Sequence, residues 1–403
     1  MQINRLAIAS ANTVQKKVVN MGFLFIFLSC LSASLPVSGQ DDLDLGSKLD
    51  KVTEANIFSS PDYYTWGSSV VKGEDGKYYM FYSRWPHGKR KPDDDSLNYI
   101  FDGFAGWMKY SEIACAVSDK LEGPYVYIST VLAAKGKEGH WDRFTKHNPH
   151  IKKFNGYYYL YYISSSYDSS FVPVNGPQTK ERLQWMRYNC GQSIGVIKAK
   201  TIKDLLSGNV TDPKDPIVRI DHQRTFEVAT NPSVTEGPDG RYYMMYKSRL
   251  PGGHMTFWFA VADQPDSPFI TLSNVTSSAD MASEDPYMWY DKKRKAFYAI
   301  AKYFTNSKKY GLQNGSLVLL YSKDGKEWIF SKYPEVSKRE LVFANGKKET
   351  LTHLERPFIF FDRDGQALAL FAAASYEQPS GGDPLNVPER KNTFNVCIPL
   401  QKE

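Results

Sequence analysis

The chain has 403 residues, 42% of them hydrophobic and 14% aromatic, with a formal net charge of +6. That apolar content can bury a large core and excludes a disordered chain, while so small a basic excess speaks against a nucleic-acid partner, because the one cationic cluster, Lys89-Arg90-Lys91, is offset by Asp93 to Asp95. The 4 cysteines are widely spaced and give neither a disulfide framework nor a metal-ligand pattern, so no metal and no cofactor is expected.

In chain order, residues 1–39 read as a signal peptide: Lys16 and Lys17, an apolar run from Gly22 to Leu28 too short to cross a bilayer, and small residues up to Gly39. The expected protein is secreted, to the periplasm or cell surface of a Gram-negative bacterium. Membrane attachment is expected only if Cys30, in the lipoprotein-like Leu28-Ser29-Cys30, carries lipid. Residues 40–60 form a polar lead-in whose end is expected to supply a strand that closes the fold.

From residue 61 to 403 one design recurs. An opening of the Asn-Pro kind leads into a short apolar strand, a Gly- or Asp-containing turn and an aromatic strand, as in Thr230-Asn-Pro-Ser-Val-Thr, Gly237-Pro-Asp-Gly and Tyr242 to Tyr246. The other copies open at Gly67-Ser68, Asn148-Pro149, Asp285-Pro286 and Arg356-Pro357. Their spacing suits four strands per unit. Such units cannot bury both faces alone, and radial stacking of four-stranded antiparallel sheets predicts an all-β, five-bladed β-propeller. The last strand, Phe394 to Pro399, is expected to pair with N-terminal residues and hide both sheet edges. Helix should be minor, since no long segment keeps a helical period.

Turns between the first and second strands of each unit are short, whereas the connections after the second strands are long and emerge on the face where first strands begin. That face therefore collects function. Its axial ring is Gly67, Asn148, Asn231, Asp285 and Arg356, preceded by Trp66, His147, Thr230, Glu284 and Glu355. Carboxylates that move protons, amides and arginine that grip hydroxyls, and an aromatic face for a sugar ring make a carbohydrate site. Glu284, Glu355 and Asp285 are the candidate catalytic acids, the two glutamates carrying the proton and Asp285 adjusting their charge; Trp66, Arg84, His147, Asn148, Asn231, Lys247, Arg249, Lys302 and Arg356 are the candidate binding residues. The second strands deliver Arg84, Lys247, Arg249 and Lys302 to the rim, and the loop of the second unit adds Lys180, Arg182 and Arg187. Two readings of these cations stand: they receive a carboxylate- or sulfate-bearing sugar, or they balance the acids of the ring.

The repeat, the Asx-Pro openings, the segments Asp119 to Tyr125 and Asp263 to Phe269, and the Glu-x-Pro motifs at Glu284 and Glu355 resemble the five-bladed propeller glycoside hydrolases of family 43 and its relatives in families 62, 32, 68 and 117. The resemblance implies hydrolysis of an oligosaccharide or polysaccharide, with a first-blade Asp as base or nucleophile, a second-blade Asp that tunes it, and a Glu of a Glu-x-Pro opening as acid. This sequence departs from that pattern at Gly67-Ser68 and Asn148, leaving Asp62 and Asp142 as acids that a loop could bring inward. The expectation is an exo-acting glycosidase; a glycan-binding propeller without catalysis, or a polysaccharide lyase using Tyr or His, are the alternatives.

Overall fold

A computed structural model of the chain describes residues 42–87, 104–172, 179–212, 214–221, 226–250, 252–276, 278–376 and 393–402. The signal-peptide reading of 1–39, and with it Cys30, lies outside the described residues.

Five sheets form the blades of a propeller. Blade one runs Tyr63–Lys72, Tyr78–Pro86, Glu112–Ser118 and Val126–Leu132. Blades three and four repeat that meander, from Phe226–Glu236 to Ile270–Asn274 and from Ser283–Asp291 to Ile329–Ser337. Blade five takes His353–Phe361, Ala367–Ser375 and Phe394–Pro399 and borrows its outer strand, Ile57–Phe58, from the lead-in. The ring is closed by N- and C-terminal segments paired antiparallel, as sheet edges demand.

Blade two has three strands among the described residues, Phe144–Phe154, Tyr157–Ser165 and Gln192–Ala199, one fewer than the sequence pattern implies. Beyond them the chain makes a helix, Ile202–Ser207, fixed by a Thr201/Asp204 capping box, and returns with only isolated bridges at Thr211 and Val218. Pro216 lies in that return, and a residue without an N–H cannot carry a regular ladder.

The short turns repeat one hydrogen-bond plan. Asp239 Oδ1 accepts the Arg241 amide (3.2 Å) while Tyr243 OH donates to Asp239 Oδ2 (2.8 Å), and Asp75 serves Lys77 and Tyr79 in the same way (3.1 and 2.8 Å). The tyrosine lies against Gly237, where an added Cβ would come within 2.3 Å of its ring, so glycine is required by close approach.

At the other end of each first strand the five openings share one backbone feature. Gly67, Asn148, Asn231, Asp285 and Arg356 all have left-handed φ, between 50° and 60°. Each sits at a register break, for example between Glu284 and Tyr287 or between Glu355 and Phe358. The bulge tolerates the proline and turns the preceding side chain off the sheet. Four of the five residues are not glycine, so the same uncommon conformation is held four times over by packing. The largest core cluster fills the space between blades one, four and five and takes in Leu43, Leu45 and Val52 of the lead-in.

Candidate active site

The five bulges bring their residues to one axis, and the side chains there form a directed chain of hydrogen bonds. Asp285 Oδ1 accepts from Asn231 Nδ2 (2.5 Å), and Asn231 Oδ1 accepts from Asn148 Nδ2 (2.6 Å). The direction follows from chemistry: Asp285 Oδ1 accepts whether the carboxyl is ionised or carries its proton on Oδ2, which turns the Asn231 amide toward it and in turn fixes the Asn148 amide. Asn148 Oδ1 is left buried without a partner, as are Nε and Nη1 of Arg356. Gly67 stands between these two residues. A Cβ there would lie 3.1 Å from Asn148 Oδ1 and 3.3 Å from Arg356 Cγ, so the absent side chain keeps open a niche with an acceptor on one side and donors on the other.

Beside this ring lie three acids, with one oxygen of each of Glu284, Asp285 and Glu355 within 4.8 Å of the others. Such a trio has the donor set of a metal site, but lysines occupy the charge-neutralising positions. Lys247 Nζ donates to Glu284 Oε2 (2.8 Å) and lies 3.7 Å from Asp285 Oδ1. Lys302 Nζ donates to Glu284 Oε1 (2.8 Å) and to Glu355 Oε1, which also meets His353 Nδ1 at 2.7 Å. Both oxygens of Glu284 are thus taken. No protein donor among the described residues reaches Glu355 Oε2 or Asp285 Oδ2.

The charges divide the acids. Burial alone would raise all three. For Glu284 the ammonium groups of Lys247 and Lys302 outweigh burial and hold the carboxyl well below its usual range. Glu355 is lowered likewise, burial being outweighed by Lys302 and the His353 hydrogen bond. Asp285 goes the other way: burial, reinforced by the neighbouring Glu284 charge, raises it despite Lys247 and Arg356. His147 is neutral, since burial and the charges of Arg356 and Lys247 push its pKa far down; its Nδ1 meets Ser111 Oγ at 2.8 Å and its ring stacks on Trp107 at 4.6 Å.

Above the ring is a cavity of about 450 Å³, within the usual range for small-molecule sites. Of the residues expected from sequence, Glu284, Asp285, Glu355, Trp66, His147, Asn148, Asn231, Lys247, Arg249 and Arg356 line it, and so does Arg182. Lys302 lies beneath the acids it bridges.

Arg84 does not line the cavity. It faces Glu112 across the strand pair, and its Nε donates to Glu112 Oε1 (2.7 Å) while Nη2 reaches Tyr127 and Thr130. Lys180 and Arg187 are likewise absent from the lining. Neither loop acid replaces the missing blade-one carboxylate: Asp62 is exposed, and Asp142 is buried against Lys146 Nζ (2.9 Å). Of the cations, Lys247 and Lys302 balance the ring's acids, and Arg249 pairs with Glu227 (3.1 Å).

The aromatic wall was not read from sequence. Trp85, Phe104 and Trp107 come from the end of the second strand of blade one and the turn beyond it, and Trp185 and Asn189 from a ten-residue helix, Lys180–Asn189, in the long connection of blade two. A helix N-cap signal was present at Thr179, whose side chain accepts from the Arg182 amide (3.2 Å). Glu227, also in the wall, has a left-handed φ of 66°, which only coordinates reveal.

No family model matches the chain, and neither does any curated protein. Solved structures do share its fold. It is similar to Zg3597, a family 117 glycoside hydrolase of the marine bacterium Zobellia galactanivorans, at a TM-score of 0.54 and 15% identity over 87% of this chain and 90% of that one. An α-L-arabinofuranosidase from Lactobacillus brevis gives 0.51 and 13% over 85% and 92%. A sucrose-6-phosphate hydrolase from Lactobacillus gasseri gives 0.56 and 11% over 85% and 63%. The resemblance to five-bladed propeller glycoside hydrolases holds at the level of fold.

Proposed function

We propose that the chain is a secreted, exo-acting glycoside hydrolase that removes a terminal sugar from an oligosaccharide seated on the axial ring. The observation that carries this reading is the division among the buried acids: a carboxyl with a raised pKa, Asp285, stands beside carboxylates held ionised, and each of Asp285 and Glu355 keeps one oxygen unbonded. Glycoside hydrolysis needs such a pair, one acid protonated and one ionised. Asp285 protonates the leaving oxygen and Glu355 serves as nucleophile or base, while Glu284, with both oxygens taken by lysines, fixes the charge around them. Relative to the sequence expectation, Glu284 and Asp285 exchange roles.

The close grouping of the acids favours net retention, since retaining enzymes place the two carboxyls about 5–5.5 Å apart and inverting ones about 6.5–9.5 Å. The aromatic wall supplies stacking surface for the sugar. Preference for an acidic or sulfated sugar now rests mainly on Arg356, because Lys247, Lys302 and Arg249 have carboxylate partners.

The rival reading, a propeller that binds glycans without cutting them, is favoured by the absence of carboxylates at Gly67 and Asn148. The deciding experiment is incubation of the wild-type protein and Glu355→Gln with a panel of neutral, uronic and sulfated oligosaccharides. Sugar release by the wild type, lowered at least about a hundredfold in the variant, supports hydrolysis. Saturable binding with no release by either protein would establish the binder.

A further inference from the structure

On the face opposite the acids, the short turns Asp291 to Lys295 and Asp362 to Gly365 surround a second cavity of about 520 Å³. Lys152 forms part of its wall, on the same blade-two strand as His150 and two residues beyond it, so the two share a face of that strand. Lys152 Nζ donates to Tyr287 OH (2.8 Å), whose hydroxyl in turn donates to the Ile359 carbonyl (2.8 Å). The ammonium lies 4.8 Å from the centre of the Tyr287 ring and 5.8 Å from that of Phe358.

That accounts for one of the three N–H donors. No carboxylate among the described residues pairs with Lys152, unlike Lys247 and Lys302 on the other face. Lys152 is half-buried against aromatic rings, and an ammonium that lines a cavity without a carboxylate partner is a place for a counter-ion. Two of the nearby acids are otherwise engaged, Asp291 with Arg294 (3.0 Å) and Asp362 Oδ1 with the amides of Asp364 and Gln366, while the third, Asp364, is exposed on its turn. The mouth also carries Lys292 and Arg363.

We propose that this cavity is a binding site for a small oxyanion, held by Lys152 at its inner end and drawn in by the cationic mouth. It is separate from the glycosidase reading and stands or falls independently of it.

Burial draws the Lys152 ammonium down to about 7, with no charged neighbour contributing to the shift. The ionisable groups around it are His150 on its own strand, Tyr287, Asp291 and Arg294 of blade four, Asp362 and Asp364 of blade five, and Lys48 of the lead-in. Only the protonated amine holds an anion, so affinity falls by about tenfold per pH unit once the pH exceeds the free-state value, and binding takes up a proton there.

The test is titration calorimetry of the purified protein with sodium sulfate, whose own charge is constant, at fixed ionic strength and pH 6.5, 7.5 and 8.5, with inorganic phosphate as a second arm at pH 6.5. Expected is one saturable site that weakens at least about tenfold between pH 6.5 and 8.5, is lost in Lys152→Met, and in Lys152→Arg persists without the pH dependence. Absence of a saturable site in the wild type, or undiminished sulfate affinity in folded Lys152→Met, overturns the proposal. If Lys152→Met does not fold, Lys152→Arg decides: an unchanged loss of affinity with pH overturns it.

Discussion

Replacing Lys302 by Met retains the apolar stem and removes the ammonium that Glu284 and Glu355 share. At the 2.8 Å separation from Glu284 Oε1 the attraction is about 6 kcal/mol for an effective dielectric of about 20, much of it offset by the cost of desolvating the charges. Breaking a buried pair by removing one partner leaves a net cost of about 3–5 kcal/mol. Glu284 still has Lys247, so the uncompensated charge falls mainly on Glu355, which is left with His353 alone.

The dependence on pH separates this from a packing defect. In the wild type both glutamates have folded pKa values below the unfolded ones, so their contribution is complete above about pH 4.5 and declines only as pH falls through the folded values. In the variant Glu355 is a buried acid without its cation, its folded pKa rises above the unfolded one, and stability declines as pH climbs through that window. Urea unfolding at pH 5 and pH 8 should show a stability gap of about 3–5 kcal/mol at pH 8 that narrows at pH 5. The same gap at both values, or one under about 1 kcal/mol at pH 8, would refute the charge argument.

Three other expectations follow from the site. Asp285→Asn should cost at least about a hundredfold in hydrolysis of natural linkages but much less on aryl glycosides whose leaving groups need no proton, and equal losses on both would remove Asp285 as the acid. Gly67→Ala places a Cβ 3.1 Å from Asn148 Oδ1 at a φ of 53°, and should lower stability by about 1–2 kcal/mol; an unchanged urea midpoint would contradict the crowding. Trp185→Ala should raise KM with little change in kcat if the helix Lys180–Asn189 contributes only binding surface, whereas a fall in kcat at constant KM would assign it to the chemistry.

The ring was legible because its signal is local. An Asx-Pro step ahead of an apolar strand marks the bulge, and Gly67, Asn148, Asn231, Asp285 and Arg356 all adopt the same left-handed backbone. Charge pairing was not legible in this way: counting back from the Asp291 turn sets Glu284 opposite Tyr303, and only the bulge after Glu284 moves it opposite Lys302. Its consequence for protonation was not legible either, because the order of the pKa values depends on which oxygens the lysines reach in three dimensions. The helix over the cavity escaped notice because Lys-Glu-Arg-Leu-Gln-Trp-Met-Arg-Tyr-Asn has no clean apolar stripe. Tertiary contacts hold it instead, with Met186 buried against Phe171 and Cys190. Blade two shows the reverse case: among the described residues it has three strands, and Pro216 in a polar return overrules the period of the repeat.

The way the ring closes also sets an order in time. Thr65 donates its amide to Thr393 Oγ1 (2.8 Å) across 328 positions of sequence, and Ile57–Phe58 joins the sheet only when Phe394–Pro399 is there to receive it. On the ribosome, at roughly 5–20 residues per second, blade one can assemble many seconds before its closing partner exists. Between the synthesis of Ala367–Ser375 and that of Phe394–Pro399 the first of these strands presents an unpaired edge, and such an edge accepts a strand from any neighbouring chain. Translation pauses between the codons for residues 375 and 394 therefore bear on the yield of native protein more than pauses before blade one is made, and a chaperone that shields extended segments would be needed most across that stretch.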